Sequence, residues 1–197
     1  MSIVGPGSEW FWAAAQFVVV VVSLAGIYRQ LRAQASANAF HQMATLHDRW
    51  DSDRLVRVRL ALALHLLHGA DDDGVPPTMV PMADFFDDIA MLQEAGHLTR
   101  KEVWLDWNRT VEFWWTVLTP AIRQMRLLHP GEYETFERLN ALMRKLDRVA
   151  GQANEFDPVT ISRMLESFIA HLTAILRLDQ ESKAGVIPTA PEPSDSA

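Results

Sequence analysis

The chain has 197 residues, a formal net charge of -7 and no cysteine. Its length allows one membrane anchor and one domain of about 150 residues. The absence of cysteine excludes disulfide bonds, thiolate metal sites and a cysteine nucleophile. The negative net charge argues against nucleic acid as a partner, since neutralising phosphates requires a basic surface.

Residues 10–28 are predicted to form a membrane-spanning helix, because the stretch WFWAAAQFVVVVVSLAGIY contains no charged residue. At about 1.5 Å per residue, a helix of this length covers roughly 28 Å, close to the ~30 Å hydrocarbon core of a bilayer. Trp10 and Trp12 lie at one edge of the stretch and Tyr28 at the other. Amphipathic aromatic rings favour the membrane interface, so these residues are the expected interfacial anchors in the lipid bilayer.

Positive charge follows the apolar stretch, beginning with Arg29 and Arg32, whereas no Lys or Arg precedes it. The positive-inside rule therefore predicts a single-pass protein of the cell inner (plasma) membrane. Residues 1–9 form a short extracytoplasmic N-terminus and the C-terminal domain is cytoplasmic. We expect Arg29 and Arg32 to contact lipid headgroups as well.

Two other interpretations of the apolar stretch are less consistent with its flanks. A cleaved signal peptide would use residues 13–22 as its apolar region, and Ser23-Leu24-Ala25 fits a small-x-small cleavage pattern. A secretory signal carries its positive charge before the apolar region, which is the reverse of the order found here. A helix in a soluble core would have to bury the valines of 18–22 on all sides.

The pattern of apolar residues beyond the anchor predicts an all-α chain. Residues 29–50 are expected to continue the membrane helix as a stalk, and the Trp-Asp-Ser-Asp stretch at 50–53 provides N-cap side chains for a new helix. Residues 51–182 are predicted to form a bundle of about five to six helices. Residues 183–197, rich in Pro, Ser and acids, are predicted to be a disordered tail. No alternating pattern predicts a strand.

Helical spacing and capping signals locate the helices of this bundle. Apolar residues repeat at helical spacing in residues 53–68, 82–95, 132–150 and 158 to about 180. Thr99 and Glu102 form a capping box that begins a further helix, which Pro120 kinks or ends before 121–128 continue helically. In the 82–95 helix, the polar face opposite the apolar stripe carries Asp84, Asp87 and Asp88.

No motif for catalysis or cofactor binding is present, so we predict no enzyme activity, no cofactor and no metal. Glu94 and His97 match the E-x-x-H pair of helical di-iron sites, but the second pair that such a site needs is missing. His65 and His68 share one helix face and precede the acids at 71–73, a pattern compatible with zinc. A polar stripe on a mostly buried helix explains both histidines without a metal.

Four of the seven tryptophans lie in the helix that follows Thr99. Trp107 and Trp114 fall on its apolar stripe and are predicted to be core residues. Trp104 and Trp115 lie off that stripe. Because tryptophan is enriched at binding hot spots, these two are the expected contacts for a partner.

A second basic group occurs in the 53–68 helix and consists of Arg54, Arg57 and Arg59. If this helix folded back toward the bilayer, the group would extend the lipid contact. Ion pairs with the acidic body are the favoured alternative, because the chain carries 25 acidic residues.

The segment FFDDIAMLQEAGHL at residues 85–98, followed by the Trp-rich helix and the arginines at 123 and 126, resembles an uncharacterised bacterial family. Its members resemble this layout of one N-terminal membrane helix, a basic helical stalk ending in a Trp-Asp/Asn-Ser stretch, and a small all-helical domain of unknown function. The resemblance covers residues 10–128. It implies the same architecture and brings no catalytic residues.

We therefore expect a membrane-anchored helical protein that binds another protein, or a second copy of itself, at the cytoplasmic face as a scaffold or regulatory module. The alternative is a membrane-tethered sensor or enzyme that binds a small ligand or metal in its helical body. A permanent subunit of a larger membrane complex differs from the first hypothesis only in the lifetime of the contact.

Overall fold

The computed structural model describes residues 9–68, 75–152 and 154–183, and all regular structure within these ranges is α-helical. The six helices are α1 (Glu9–Trp50), α2 (Asp53–His68), α3 (Met79–Glu94), α4 (Arg100–Leu128), α5 (Glu134–Ala150) and α6 (Pro158–Lys183). Residue contacts divide the chain into two units, residues 1–44 and 45–197. The predicted all-α fold is confirmed. The expected extracytoplasmic residues 1–8, the acidic loop at 69–74 and the tail at 184–197 lie outside the described residues.

The first unit is helical throughout its described part, and its apolar side chains from Trp10 to Leu31 are largely exposed. Val19 and Val22, for example, are 64% and 65% exposed. Two helices among the described residues are long and apolar enough to cross a membrane: one is α1, whose apolar window contains no buried residue, and the other is α6. Length and composition alone do not separate a membrane span from a core helix or a signal sequence.

The second unit begins with the last turn of α1 and turns sharply at residues 51–52. The Ser52 hydroxyl donates to the Arg49 carbonyl at 2.6 Å and accepts from the Leu55 amide at 3.4 Å. Ser52 therefore caps α2 from within the stretch where the sequence predicts a break. A short polar side chain is needed here, because the first N–H groups of a helix have no partner inside the helix.

Arg59 lies on the inner side of this turn and is only 5% exposed. Its Nη2 donates to the Trp50 carbonyl at 2.7 Å, and its guanidinium carbon lies 4.0 Å from the centre of the Trp50 ring. The nearest carboxylate oxygen, on Asp51, is 3.9 Å away. Burial lowers the pKa of Arg59 from 12.5 to about 10, although the charge of Asp51 opposes that change. Arg59 thus contacts Trp50 closely and forms a long ion pair with Asp51, whereas a lipid contact of the basic group stays a prediction.

The core of this unit lies where α3 and α4 cross between the other helices. Aromatic rings from three helices meet there, with Trp50 5.1 Å from Phe85 and 5.4 Å from Trp107 between ring centres. Phe86 stacks on Phe136 of α5 at 5.0 Å. Ring pairs in these geometries contribute about 0.5–1.5 kcal/mol beyond the area that they bury.

Two carboxylates of the acidic face of α3 bind residues at the start of α5. Asp87 accepts hydrogen bonds from the Phe136 amide at 3.0 Å and from the Thr135 hydroxyl. Asp84 accepts from the hydroxyl of Tyr133, whose left-handed backbone (φ 58°) begins the turn into α5. Because α5 has no N-cap bond from its own Tyr133, a neighbouring helix supplies the cap.

Two sequence signals in α4, the capping box and Pro120, have different outcomes in the structure. The capping box of Thr99 and Glu102 is present as predicted. Pro120 neither breaks nor ends α4, which continues to Leu128. Leu118 and Ile122 on either side of Pro120 are each 1% exposed, so their burial holds the helical path through a residue that disfavours it.

Replacing Asp87 by Ala removes the cap of α5, and we expect a loss of about 0.5–2 kcal/mol in the free energy of unfolding. Asp88→Ala is the matched control, because Asp88 forms only an exposed ion pair with Arg49 at 2.5 Å, an interaction worth about 0–1 kcal/mol. Thermal unfolding of the full chain in detergent micelles measures the loss of stability in each variant. Equal melting temperatures for the two variants would contradict the cap.

Candidate functional site

A cavity of about 340 Å³ lies between α4 and α5, beside the connection from α5 to α6. Its lining is polar for a helical bundle and consists of Glu112, Thr116, Arg144, Asp147, Arg148, Asn154 and Phe156. Cavities of this size accept small molecules, and a few convergent polar groups are typical of binding sites. We therefore take this cavity as the candidate functional site.

Helical periodicity brings these side chains together. Glu112 and Thr116 are one turn apart on α4, and Arg144 and Arg148 are one turn apart on α5. Residues at i and i+4 lie on the same face of a helix. The two faces meet because α4 and α5 pack along each other.

Asp147 is 1% exposed and holds the α4–α5 contact together. Its Oδ1 accepts from Trp104 Nε1 at 2.5 Å and from Asn108 Nδ2 at 3.0 Å. Its Oδ2 accepts from Asn154 Nδ2 at 2.7 Å. Both carboxylate oxygens therefore have donors, as a buried carboxylate requires.

Glu112 is 2% exposed, and its carboxyl group is only half satisfied. Its Oε2 accepts from Asn154 Nδ2 at 3.3 Å. Its Oε1 is buried and has no hydrogen-bond partner among the described residues. Leaving a buried acceptor unpaired costs about 1–3 kcal/mol, so this atom is the least satisfied part of the cavity wall.

The environment of Glu112 also changes its proton affinity. Burial raises the pKa of Glu112. The negative charge of Asp147, and a hydrogen bond that protonated Glu112 donates to the Asp147 carboxylate, raise it further. The Asn154 amide and the positive charge of Arg144 oppose this rise without reversing it. Glu112 therefore holds its proton to a higher pH than an exposed glutamate.

Arg144 and Arg148 are exposed and lie at the mouth of the cavity. Arg144 Nη2 is 3.5 Å from the Thr116 hydroxyl, and Arg148 Nε donates to the Arg144 carbonyl at 3.3 Å. Across residues 9–68, 75–152 and 154–183, neither guanidinium forms an ion pair within 4.0 Å. Both arginines thus have donors directed to solvent or to a ligand.

No sequence motif marks these residues. A usable signal was present, because Glu112 interrupts the apolar run Val111-Glu-Phe113-Trp114 and so lies on a face predicted to be buried. A charged residue that is forced into a core is a candidate for a functional role. The position of Asp147 opposite Glu112 depends on how two helices pack, which periodicity does not specify.

The predicted partner-contact residues Trp104 and Trp115 are both partly buried. Trp104 donates its indole N–H to Asp147, so it belongs to the wall behind the cavity. The Trp115 ring packs edge-on against Phe136 at 5.0 Å. Trp107 and Trp114 are buried, as predicted from the apolar stripe. A contact of Trp104 or Trp115 with a partner stays a prediction.

The predicted membrane-interface residues all lie in α1 and have exposed side chains. They are Trp10, Trp12, Tyr28, Arg29 and Arg32. Their contact with lipid stays a prediction.

The metal hypotheses gain no support from the described residues. No group of three or more His, Cys, Asp or Glu side chains within these residues is arranged to hold a metal ion. Glu94 forms a bidentate ion pair with Arg138, at 2.8 and 3.1 Å, and His97 lies beyond the end of α3. The acids at 71–73, which the zinc hypothesis needs beside His65 and His68, lie outside the described residues.

Replacing Glu112 by Gln is expected to raise the melting temperature at about pH 7 by more than at about pH 4. The folded state binds the Glu112 proton more tightly than the unfolded chain does, since the pKa rises from its ordinary value of 4.5. The contribution of Glu112 to stability is therefore complete below pH 4.5 and is lost as the pH rises through the raised pKa. Glutamine mimics the protonated form at every pH.

Thermal unfolding of the full chain at both pH values measures this difference. Glu166→Gln, at an exposed position of α6, is the matched control and should give the same small change at each pH. A Glu112→Gln effect that is independent of pH would contradict the raised pKa.

A scan against protein-family models finds no family that matches this chain, and searches of the curated proteins and of the solved structures find no similar protein. The resemblance to an uncharacterised bacterial family stays a prediction. The function of the chain is therefore argued from its own geometry.

Proposed function

We propose that this chain is a bitopic membrane protein whose helical body binds another protein, or a second copy, at the cytoplasmic face of the inner membrane. The observation that carries the proposal is the apolar stretch 10–28, which is helical and uncovered within the described residues. An uncovered apolar surface of this length is unfavourable in water and favourable in a bilayer.

The flanks of the stretch support its insertion and its direction. Exposed aromatic rings mark both ends, with Trp10 72% and Tyr28 66% exposed. Arg29 and Arg32 follow directly in the same helix. Positive residues on one side of a span favour the cytoplasm on that side, which assigns the body to the cytoplasm.

The part of the body best suited to a partner is the C-terminal half of α6, where apolar side chains are only partly covered. This helix packs mainly against α2, and Leu165 and Leu172 are its only residues in the buried core of the described chain. Ile175 and Leu178, one turn apart, are 38% and 55% exposed. Partly covered apolar side chains on a helix with one main neighbour suit a helical partner.

A second candidate function, a membrane-tethered sensor of a small ligand, is favoured by the polar cavity between α4 and α5. Helical bundles commonly place ligand sites between neighbouring helices. An enzyme is a weaker form of this alternative, because the cavity contains no nucleophile paired with a base.

Single cysteines test the membrane topology, because the natural chain contains none. In intact cells, a membrane-impermeant maleimide should label Ser8→Cys from outside, whereas Ser167→Cys on α6 should react only after the cells are permeabilised. Val19→Arg places a charge at the centre of the apolar stretch, at a cost of about 2.5–3.5 kcal/mol, and should reduce outside labelling of Ser8→Cys.

Val19→Leu is the matched control and should leave the labelling unchanged. Labelling of Ser167→Cys in intact cells would contradict the proposed orientation. Release of the full chain from vesicles by alkaline carbonate would contradict the anchor itself.

Photo-crosslinking tests the partner surface. A photoreactive amino acid at Ile175 or Leu178 should give one discrete crosslinked product in native membranes, either with one other protein or with a second copy of the chain. Thr173 is exposed on another side of α6 and is the control position. Equal capture of many membrane proteins at all three positions would overturn the partner surface.

A further inference from the structure

The cavity between α4 and α5 carries acidic groups on one side and basic groups on the other. Its inner wall carries buried carboxyl groups, and its mouth carries exposed guanidinium groups. Charges of opposite sign on two sides of a small cavity would normally pair with each other. Within the described residues, the two arginines of the mouth are not within 4.0 Å of either carboxylate.

The inner wall offers one acceptor for a ligand. Asp147 is saturated by Trp104, Asn108 and Asn154, so it orients the wall but has no oxygen left without a donor. Glu112 lines the cavity, and its buried Oε1 accepts no hydrogen bond from the described residues. A donor that enters the cavity would complete the hydrogen bonding of Glu112, and a cationic donor would also compensate its charge.

The mouth offers donors for an anion. Arg144 and Arg148 are one turn apart on the same face of α5, and both line the cavity. Planar guanidinium groups bind carboxylates in a bidentate geometry, so two of them suit one carboxylate group. The Phe156 ring adds an apolar wall between the two polar regions.

We propose that this cavity binds a small zwitterion of the amino-acid class. The ammonium group of the ligand donates to Glu112 Oε1, and its carboxylate is bound by Arg144 and Arg148. The proposal deepens the second candidate function, in that it names the ligand of the tethered sensor. It does not depend on the membrane topology or on the partner surface of α6.

Other ligand classes fit the cavity less well. An anion alone would leave Glu112 unpaired and would lie close to a negatively charged wall. A cation alone would leave both arginines unpaired and would be repelled by them. A metal ion lacks its ligands, because no group of three metal-binding side chains is present in the described residues.

Isothermal titration of the full chain in detergent micelles tests the proposal with probes of one chain length. The probes are 4-aminobutanoate, which carries both charges, n-butylamine, which carries only the cation, and butanoate, which carries only the anion. Glycine and 6-aminohexanoate vary the separation of the two charges. We expect at least one zwitterion to bind about tenfold or more tightly than either singly charged probe.

Substitutions test which residues bind the ammonium and the carboxylate groups of the ligand. Glu112→Gln and Arg144→Gln should each weaken binding of the preferred zwitterion by about tenfold or more. Glu166→Gln and Arg163→Gln change the same charges at exposed positions of α6 outside the cavity and should have no effect. Since Arg144 is exposed, Arg144→Gln is expected to fold even if Glu112→Gln does not. Thermal unfolding of each variant shows whether it is folded.

Three results would overturn the proposal. The first is that no zwitterion of the series binds at millimolar concentration. The second is that butylamine or butanoate binds as tightly as the best zwitterion. The third is that a folded Arg144→Gln protein retains full affinity. The membrane topology measured with single cysteines would be unaffected by any of these results, so the two proposals fail independently.

Discussion

The contact between Trp50 and Arg59 is the constraint on which the helical body depends. Trp50 ends α1, and its ring lies against Phe85 of α3 and Trp107 of α4. Arg59 of α2 covers the same ring and binds the Trp50 carbonyl. One aromatic side chain at the end of α1 thus contacts three other helices. A cation–π contact of a desolvated arginine is worth up to about 2 kcal/mol, which offsets part of the cost of burying its charge.

Carboxylates then fix how the remaining helices pair. Asp87 caps α5 from α3, and Asp147 of α5 binds two donors on α4. Apolar packing alone tolerates small shifts of one helix along another, whereas hydrogen bonds to a carboxylate have narrow geometry. These acids therefore fix the register of α5, and that register places Arg144 and Arg148 beside Glu112.

Helix α6 connects the cavity with the proposed partner surface. Asn154 and Phe156 line the cavity and belong to the connection that leads into α6. Asp157 caps α6 through the Thr160 amide at 2.7 Å, and this hydrogen bond lowers the pKa of Asp157. A ligand that orders this connection would act on the segment that begins α6. Ligand binding and partner binding are therefore compatible functions of one body, connected by the part of α6 between Pro158 and Ile175.

Local sequence patterns specify the helices, their approximate ends and the apolar stretch at residues 10–28. These features depend on local physics: helical spacing of apolar residues, the Thr99–Glu102 capping box, and the absence of charge over residues 10–28. The burial of Trp107 and Trp114 follows from the same spacing.

The contacts of the charged residues depend on how the helices pack and could not be read from the sequence. The sequence assigns Asp84 and Asp87 to a polar face, but packing turns that face toward α5. Likewise, Glu112 and Asp147 are 35 positions apart, and nothing in either helix alone indicates that they share a wall. Helical periodicity specifies the direction of a side chain from its own axis. The partner it meets depends on the packing of a second helix, and the cavity arises from that packing.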